Sequence, residues 1–459
     1  MWWTLLSVAQ ADDLRLVLYD PPSDRPAPLD TCDVPLCSSL LQMIQGATKT
    51  IDFAFYGFRN QTALYEAMKA AQARGVVVRG VVDMDAKNAN YYASTATWME
   101  AFPQVKTDYE TDLQTLANQR SFGNMHYRCP RPLGFLGPLQ CNAFDMGNGR
   151  CYLAAHVSRE PITFEGDIMH DKFVVVDGHL VWTGSTNASD SCSGGYNANL
   201  VLTMDSTAVA EFYTSEIDQM VAGKFHGEKA TQGLPMHAVI DDDTSVDVYF
   251  SPQHRPMTKV VEPLLKRANS TIDIAVFFLT HKGVAQDLLD AHARGVKVRV
   301  ILDSTGAGNE YSKHEVLRLA GIPVKIEDWG GKLHAKSAVI DGRIVVAGSM
   351  NWTSAGENDN DENTVIITSP EHAAQYEAWF QRVWDRIPDK WLEGRPDPES
   401  RDSGTSCTDG VDNDYDGLKD AEDPGCGKLP PPLPATPPYQ IVSSGGERCS
   451  WNLIEEKEE

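Results

Sequence analysis

The chain has 459 residues, of which 42% are hydrophobic and 23% charged, a size and composition typical of a globular protein of two or three domains. Its formal net charge of -24 at pH 7 repels phosphate backbones, which disfavours broad, sequence-independent binding of nucleic acid. The sequence contains no run of 18 apolar residues, so we predict no transmembrane segment.

Residues 1–11 carry a short apolar run followed by Ala-Gln-Ala, a pattern that resembles a truncated signal peptide. The nine cysteines favour the same interpretation. Local pairs such as Cys32 with Cys37 and Cys407 with Cys426 suit the disulfides of an oxidising compartment. Metal ligation is the alternative, but no pair has CxxC spacing. We therefore expect an exported protein.

A strand, an amphipathic helix and a second strand follow from Thr50, and the same order recurs from Thr271. The first stretch reads TIDFAFYGFRNQTALYEAMKAAQARGVVVRGVVD and the second TIDIAVFFLTHKGVAQDLLDAHARGVKVRVILD. This order of elements predicts parallel strands joined by crossover helices. We expect an α/β fold of two similar halves, residues 12–235 and 236–390, packed as a pseudo-twofold dimer. Each half should contain a mixed, largely parallel sheet flanked by helices.

The first half is the longer one, because 120 residues separate Thr50 from His170 but only 63 separate Thr271 from His334. We place the insertion at about residues 88–165, next to the first motif. A long insertion there suits a substrate-binding lid or pocket wall, and a disulfide-stapled surface elaboration is the alternative.

Each half ends in His-x-Lys, Asp and Gly-Ser-x-Asn, with identical intervals in the two copies. The copies read HDKFVVVDGHLVWTGSTN and HAKSAVIDGRIVVAGSMN. One short copy would be a weak signal, but two extended copies are not accidental. The motif residues are His170, Lys172, Asp177, Ser185 and Asn187 in the first copy and His334, Lys336, Asp341, Ser349 and Asn351 in the second.

Beyond residue 390 we predict a linker at 391–406, an Asp-rich loop at 407–427 and a Pro-rich acidic tail at 428–459. The loop has a DxDxDGxxD pattern, whose alternating carboxylates suit a hard cation such as calcium. A solvated acidic linker is the alternative. Because both motifs lie upstream, we expect the tail to serve tethering and its removal to leave catalysis unchanged. The candidate calcium ligands are Asp412, Asp414, Asp416 and Asp420.

The paired motifs suit a reaction at a phosphodiester. Strand side chains alternate between the two faces of a sheet, so His-x-Lys places both side chains on one face. Lys and Asn can hold the phosphoryl oxygens while an imidazole attacks phosphorus or donates a proton. One imidazole cannot do both in an in-line displacement, because the attacking and leaving atoms lie on opposite sides of the phosphorus. Two motifs that face each other supply both groups, which explains the duplication.

The motifs resemble the paired HxKx4Dx6GSxN motifs of the phospholipase D superfamily, and the resemblance covers most of residues 12–390. It implies a two-step displacement through a phosphohistidine, with no cofactor in catalysis. The implied nucleophile is His170 and the implied general acid and base is His334. The residues implied to hold the phosphate are Lys172, Lys336, Asn187 and Asn351. Structural roles are implied for Asp177 and Asp341, and phosphate contact or turn support for Ser185 and Ser349.

The two copies differ in the residues that come after the Gly-Ser-x-Asn element. Glu362 lies eleven residues after Asn351, where relatives carry a carboxylate that orients an imidazole, whereas the same distance after Asn187 reaches Ala198. We therefore expect unequal support for the two imidazoles. Which of them Glu362 orients is left open by the sequence.

We predict a monomeric phosphodiester hydrolase of the phospholipase D type that cleaves the headgroup-side phosphodiester of a phospholipid at a membrane surface. The acidic charge, the predicted export and the apolar stretch GFLGPL in the insertion favour this substrate. The first alternative is a metal-independent endonuclease of the same superfamily. The second is a non-catalytic, calcium-assisted surface-binding protein.

Overall fold

The computed structural model describes residues 12–22, 27–83, 92, 94–108, 168–404, 406–413 and 418–427, and the backbone of three short strands at 139–141, 150–153 and 450–452. The predicted signal peptide therefore lies outside the described residues, as do the Pro-rich tail and most of the predicted insertion apart from those strands. Within the described ranges, none of the helices combines the length and apolar character that a bilayer crossing needs.

The first half is built on a seven-stranded sheet. Its helices are α1 (Pro35–Gly46), α2 (Thr62–Ala73), α3 (Thr95–Ala101) and α4 (Thr207–Val221). Its strands are β1 (Asp13–Tyr19), β2 (Thr50–Phe55), β3 (Phe58–Arg59), β4 (Val77–Val82), β5 (Val105–Thr107), β6 (Leu139–Cys141), β7 (Arg150–Leu153), β8 (Lys172–Val176), β9 (Leu180–Gly184), β10 (Ala188–Ser189) and β11 (Asn199–Asp205). The sheet has the order β1-β11-β9-β8-β2-β4-β5, and β3 pairs separately with β10.

The second half is built on an eight-stranded sheet. Its helices are α5 (Glu262–Arg267), α6 (Lys282–Ala293), α7 (Ser304–Gly308), α8 (His314–Leu319), α9 (Ser354–Asn358) and α10 (Pro370–Arg386). Its strands are β12 (His237–Val239), β13 (Ser245–Ser251), β14 (Thr271–Val276), β15 (Lys297–Leu302), β16 (Val324–Ile326), β17 (Lys336–Ile340), β18 (Ile344–Gly348) and β19 (Glu362–Thr368). The sheet has the order β12-β13-β19-β18-β17-β14-β15-β16, and a last strand, β20 (Ser450–Asn452), pairs with β7.

The two sheets repeat one topology, which confirms the predicted α/β fold of two similar halves. The expectation that each sheet is largely parallel is wrong. Parallel pairing is confined to one edge of each large sheet, β2-β4-β5 and β14-β15-β16. Each motif strand returns at once through an Asp-Gly turn, from β8 to β9 and from β17 to β18. Such a short connection can join only antiparallel strands, and the strands beyond it continue antiparallel.

The start of the predicted insertion belongs to the sheet. Strand β5 pairs in parallel with β4, as β16 pairs with β15 in the second half. Residues up to the end of β5 therefore have a counterpart in the second half. The additional chain of the first half falls between β5 and β8, largely outside the described residues, and its predicted role as a lid stays a prediction.

The two halves share a hydrophobic core. Helix α4 packs on the first sheet and contacts β12 and β13, whereas α10 packs on the second sheet and contacts β1. The ring of Tyr213 in α4 meets that of Phe250 in β13 edge to face, with centroids 5.3 Å apart. Phe173 of the first motif and Val365 of β19 belong to the same buried cluster. Close packing of this kind fixes the position of one motif relative to the other.

Both disulfides expected from local spacing, Cys32–Cys37 and Cys407–Cys426, are present. Cys192 is a free, buried cysteine. The side chains of the other four lie outside the described residues: Cys129, Cys141, Cys151 and Cys449.

The segment after α10 packs on the second half. Within residues 391–406, predicted as a linker, Trp391, Glu399 and Ser403 are buried, so this segment is not a free spacer. Two of the four candidate calcium ligands, Asp414 and Asp416, lie outside the described residues. In the part of the chain that is described, no three His, Cys, Asp or Glu side chains are grouped to hold a metal ion. Calcium binding stays a prediction.

Candidate active site

Each motif histidine is placed by a backbone bond to the opposite half. The amide of His170 donates to the carbonyl of Asp361 at 2.9 Å, and the amide of His334 donates to the carbonyl of Ala198 at 2.9 Å. These bonds belong to short parallel bridges between the two halves. The start of the first motif thus pairs with the residue before β19, and the start of the second motif pairs with the residue before β11. This pairing brings both motifs to one site at the interface.

The motif lysines begin the strands β8 and β17, and both are almost fully buried. Nζ of Lys172 donates to the carbonyl of His170 at 2.5 Å, and Nζ of Lys336 donates to that of His334 at 2.8 Å. Burial lowers the pKa of Lys172 to about 8 and lowers the pKa of Lys336 well below its usual value. An anion bound between the two lysines would offset this effect.

His170 is the imidazole that Glu362 orients. Its Nδ1 lies 2.7 Å from Oε1 of Glu362, a fully buried residue at the start of β19. Burial raises the pKa of Glu362 to about 8, whereas burial and the charges of Lys172 and Lys336 lower the pKa of His170. The hydrogen-bonding distance between them allows the two groups to share one proton. When the pair holds one proton, that proton lies between Nδ1 and the carboxylate, and Nε2 keeps a free electron pair.

His334 has only neutral hydrogen-bond partners among the described residues. Its Nδ1 lies 3.0 Å from the carbonyl oxygen of Ser185, 3.2 Å from Oδ1 of Asn199 and 3.7 Å from Sγ of Cys192. Burial and the positive charges of the two motif lysines lower the pKa of His334 well below its usual value. The expected inequality between the two imidazoles is therefore present in the geometry.

Asn199 is the structural counterpart of Glu362, which corrects the comparison that pointed to Ala198. Asn199 begins β11 as Glu362 begins β19, and each contacts the imidazole of the opposite motif. Twelve residues separate Asn187 from Asn199, but eleven separate Asn351 from Glu362. The loop of the first half contains one additional residue, so equal spacing stops one position short.

The Gly-Ser turn allows the last strand to pass close to each motif. A Cβ atom on Gly184 would clash with the carbonyl oxygen of Leu200. Oγ of Ser185 donates to Oδ1 of Asn199 at 2.8 Å. Oγ of Ser349 accepts a hydrogen bond from a backbone amide of β19 at 2.9 Å. Phosphate contact and support of the turn were the two roles expected for these serines, and their hydrogen bonds support the turn.

The motif asparagines follow the same turns. Nδ2 of Asn187 donates to the phenol oxygen of Tyr92 at 2.9 Å. Asn351 occupies the matching position of the second motif, and within the described residues its Oδ1 has no hydrogen-bond partner. The predicted role of both asparagines in holding the phosphate stays a prediction.

Aromatic rings flank both imidazoles. The ring of Tyr56 lies 5.5 Å from that of His170, and the ring of Phe277 lies 5.0 Å from that of His334. These two residues were not predicted from the sequence. A signal was available, because each directly follows the first strand of the duplicated strand-helix-strand unit.

Buried charges fix Asp361, whose carbonyl holds the His170 amide. Nζ of Lys229 lies 2.6 Å from Oδ1 of Asp361, and the amide of His226 donates to the same oxygen at 2.8 Å. Lys229 also pairs with Glu216. Because the second half contributes Asp361 and the first half contributes its partners, this group ties the halves together beside the His170 site.

The motif aspartates anchor the loops before β2 and β14. Asp177 accepts hydrogen bonds from the amides of Thr48, Lys49 and Thr50 at 2.8, 2.7 and 3.0 Å. Asp341 accepts the corresponding three amides of its own half. Burial alone would raise the pKa of Asp177, but these hydrogen bonds outweigh it and lower the pKa to about 2. Both aspartates therefore have a structural position.

We expect Asp177→Asn to destabilise the fold without changing the chemistry. The loss of charge-assisted hydrogen bonds should lower the free energy of unfolding by about 2 kcal/mol and Tm by about 4 °C. Since the folded pKa is depressed, the stabilisation is present above about pH 4 and is lost as pH falls towards 2. Thermal unfolding at pH 7 and pH 3 measures this, and the difference between variant and wild type should shrink at pH 3. An unchanged Tm with lost activity would contradict the structural role.

The family model described as "Cardiolipin synthase, PLD-like domain" matches residues 40–129, 146–221 and 261–384, more than half of the chain. The chain belongs to the phospholipase D-like family. In this phospholipase D-like protein the matched ranges include both motifs, together with Asn199 and Glu362.

Similar proteins include the mitochondrial cardiolipin hydrolase of Chlamydomonas reinhardtii, which is 36% identical over 121 residues, 26% of this chain and 54% of that protein. The phospholipase D of Rickettsia conorii is 34% identical over 126 residues, 27% of this chain and 63% of that protein. The chain thus spans between about half and two thirds of the length of these relatives. The phosphatidylserine synthase of Haemophilus influenzae has the same fold, with a TM-score of 0.51, 12% identity, and coverage of 82% of this chain and 90% of that one.

Proposed function

We propose that this phospholipase D-like protein hydrolyses the headgroup-side phosphodiester of a phospholipid through two displacements at phosphorus. One observation carries the proposal. The two imidazoles at the shared site have different partners, a carboxylate for His170 and neutral groups for His334. This asymmetry suits a nucleophile on one side of the phosphate and a separate acid on the other.

In the first displacement, Nε2 of His170 attacks phosphorus and a P–N bond forms. The P–O bond to the headgroup alcohol breaks, and His334 donates a proton to the departing oxygen. The attacking imidazole becomes positively charged, and the carboxylate of Glu362 on its Nδ1 stabilises that charge.

In the second displacement, water attacks phosphorus from the side that the alcohol has left. His334 accepts the proton of the water, the P–N bond breaks, and the phosphorylated lipid leaves His170 free. The sum of the two steps consumes one water, releases the alcohol and returns both imidazoles to their starting states.

The motif lysines and asparagines supply the electrostatic part of this reaction. A phosphodiester anion between Lys172 and Lys336 offsets their charges, which otherwise lower the pKa of His334. The bound substrate therefore favours the protonated form of His334 that the first displacement needs. Donors held in a buried site before the reaction stabilise the additional negative charge of the transition state.

The choice of a phospholipid rests on the net charge of -24, which disfavours a long nucleic-acid chain, and on the names of the similar hydrolases. The test is to incubate the protein with vesicles of phosphatidylcholine and cardiolipin, and separately with single-stranded DNA. We expect release of phosphorylated lipid from vesicles and intact DNA, with His170→Ala as the inactive control. Cleavage of DNA with intact lipids would identify a nuclease, and no cleavage of either would favour a non-catalytic surface-binding protein.

We expect turnover to survive chelation. Lys172, Lys336 and the two asparagines supply the charge stabilisation that a divalent cation supplies elsewhere. Turnover of a soluble phosphodiester with and without EDTA should agree within about twofold. Loss of turnover by a folded protein in EDTA would contradict this mechanism, whereas a lower Tm alone would point to calcium in the 407–427 loop.

We also propose that the protein works as an exported monomer. The two disulfides suit an oxidising compartment. Both motifs come from one chain, so the site needs no partner subunit. Sedimentation of the purified protein at the concentration used for turnover measures the oligomeric state, and a dimer would contradict this part of the proposal.

A further inference from the structure

The described residues of the C-terminal segment (397–404, 406–413 and 418–427), which was expected to be a tether, contact one another. The disulfide Cys407–Cys426 closes it. Glu399, which is fully buried, accepts hydrogen bonds from the amides of Asn413 and Asp420. The described residues of this segment therefore hold Asn413 in a defined position.

Asn413 reaches from this segment to residues of both halves. It is 2% exposed, and its Nδ2 donates to the carbonyl of Gly330 and lies 3.4 Å from the phenol oxygen of Tyr196. The backbone carbonyl of Asn413 accepts a hydrogen bond from Nζ of Lys332. The phenol of Tyr196 donates to Asp409, also in the segment. The contact is thus buried and polar, and both the side chain and the backbone of Asn413 take part in it.

The residues that Asn413 contacts are connected to His334 by hydrogen bonds. The amide of Lys332, two residues before His334, donates to Oδ1 of Asn197 at 2.9 Å. Nδ2 of Asn197 donates to Sγ of Cys192 at 3.3 Å, and that sulfur lies 3.7 Å from Nδ1 of His334. The loop that contains Tyr196 and the segment before β17 that contains Lys332 are therefore connected to this imidazole by hydrogen bonds.

The other imidazole has a different support. Ile168 occupies the position of Lys332 two residues before His170, and its amide donates to Oδ1 of Asn360 at 3.2 Å. His170 is oriented by the charged group of Glu362 at 2.7 Å. His334 lacks such a charge and depends on the neutral groups of the 192–199 loop, so displacement of that loop should affect His334 more than His170.

We propose that Asn413 is a positioning residue for His334, acting through Tyr196, Gly330 and Lys332, so that the buried contacts of the C-terminal segment support the acid and base half of the site. This inference rests on the proposed function, in which His334 protonates the leaving alcohol. It replaces the expectation that removal of the tail leaves catalysis unchanged.

The test uses full-length protein with two soluble phosphodiesters, one with an alkyl and one with a p-nitrophenyl leaving group. For Asn413→Ala we expect the rate of the first displacement, measured by rapid-quench release of the alcohol, to fall about tenfold with the alkyl substrate and less than about twofold with the p-nitrophenyl one, because only the poor leaving group needs a proton. The matched control is Asp402→Ala, in the same segment, whose side chain is 70% exposed and which should change neither rate. Equal losses with both substrates, or no loss, would overturn the inference.

A second variant covers a failure of Asn413→Ala to fold. Tyr196→Phe removes the hydroxyl that contacts Asp409 and Asn413 and should show the same dependence on leaving group. His334→Ala separates the two proposals. If the rate of His334→Ala does not depend on the leaving group, the proposed function fails. If it does, but the rates of Asn413→Ala and Tyr196→Phe do not, only the role of Asn413 fails.

Discussion

His170→Ala should abolish turnover of both an alkyl and a p-nitrophenyl phosphodiester, whereas His334→Ala should keep measurable first-step reaction with the p-nitrophenyl substrate. We expect a loss on the order of 10,000-fold for His170→Ala with either substrate. For His334→Ala we expect a similar loss with the alkyl substrate and a loss of only about 100-fold in the first step with p-nitrophenyl.

The physical reason is the pKa of the leaving group. An alkoxide is a strong base and leaves only when it is protonated, whereas p-nitrophenolate is stable as an anion near neutral pH. Loss of the nucleophile prevents the P–N bond with either substrate. Rapid-quench release of p-nitrophenol measures the first step directly. Recovery in His170→Ala instead of His334→Ala would reverse the two roles.

Glu362→Gln should slow the reaction of both substrates by about 100-fold. The variant keeps an oxygen near Nδ1 of His170 but removes the charge that stabilises the imidazolium formed by attack on phosphorus. It also removes the group whose pKa is raised to about 8 by burial. The proton that must leave before Nε2 can attack is then held only by His170, whose own pKa burial lowers. The acidic limb of kcat/KM against pH should therefore move to lower pH in this variant.

Asn199→Ala is the matched control for that variant. Asn199 has the same place in the other half but contacts His334 through a neutral amide. It should slow the first displacement mainly with the alkyl substrate, by about tenfold. If Glu362→Gln slowed only the alkyl substrate and Asn199→Ala slowed both, the assignment of nucleophile and acid would be inverted.

The sequence predicted the two motifs well because duplication provides an internal comparison within one chain. His170, Lys172 and Asn187 have partners at identical spacing in His334, Lys336 and Asn351, and the structure brings these groups to one site. The partner of Glu362 could not be predicted, since its side chain acts across the interface on the motif of the other half. Spacing along a chain gives no information about contacts of that kind.

Two errors have specific causes. Asn199 was missed because one additional residue in its loop shifts the alignment. The packing of the 397–427 segment was missed because its acidic composition is that of a solvated linker. The buried contacts of Glu399 and Asn413 are tertiary and have no periodic pattern. The aromatic residues Tyr56 and Phe277, by contrast, could have been predicted, because they occupy the same position in the two copies of the repeat.

The central claim is that one imidazole forms a covalent bond to phosphorus and the other moves protons. Its most direct test is mass spectrometry of His334→Ala that has been mixed with a p-nitrophenyl phosphodiester in EDTA and quenched at high pH, where phosphohistidine persists. We expect a phosphoester adduct on the peptide that contains His170, and none in His170→Ala. An adduct on His334 in His170→Ala, or no adduct in either variant, would contradict the account.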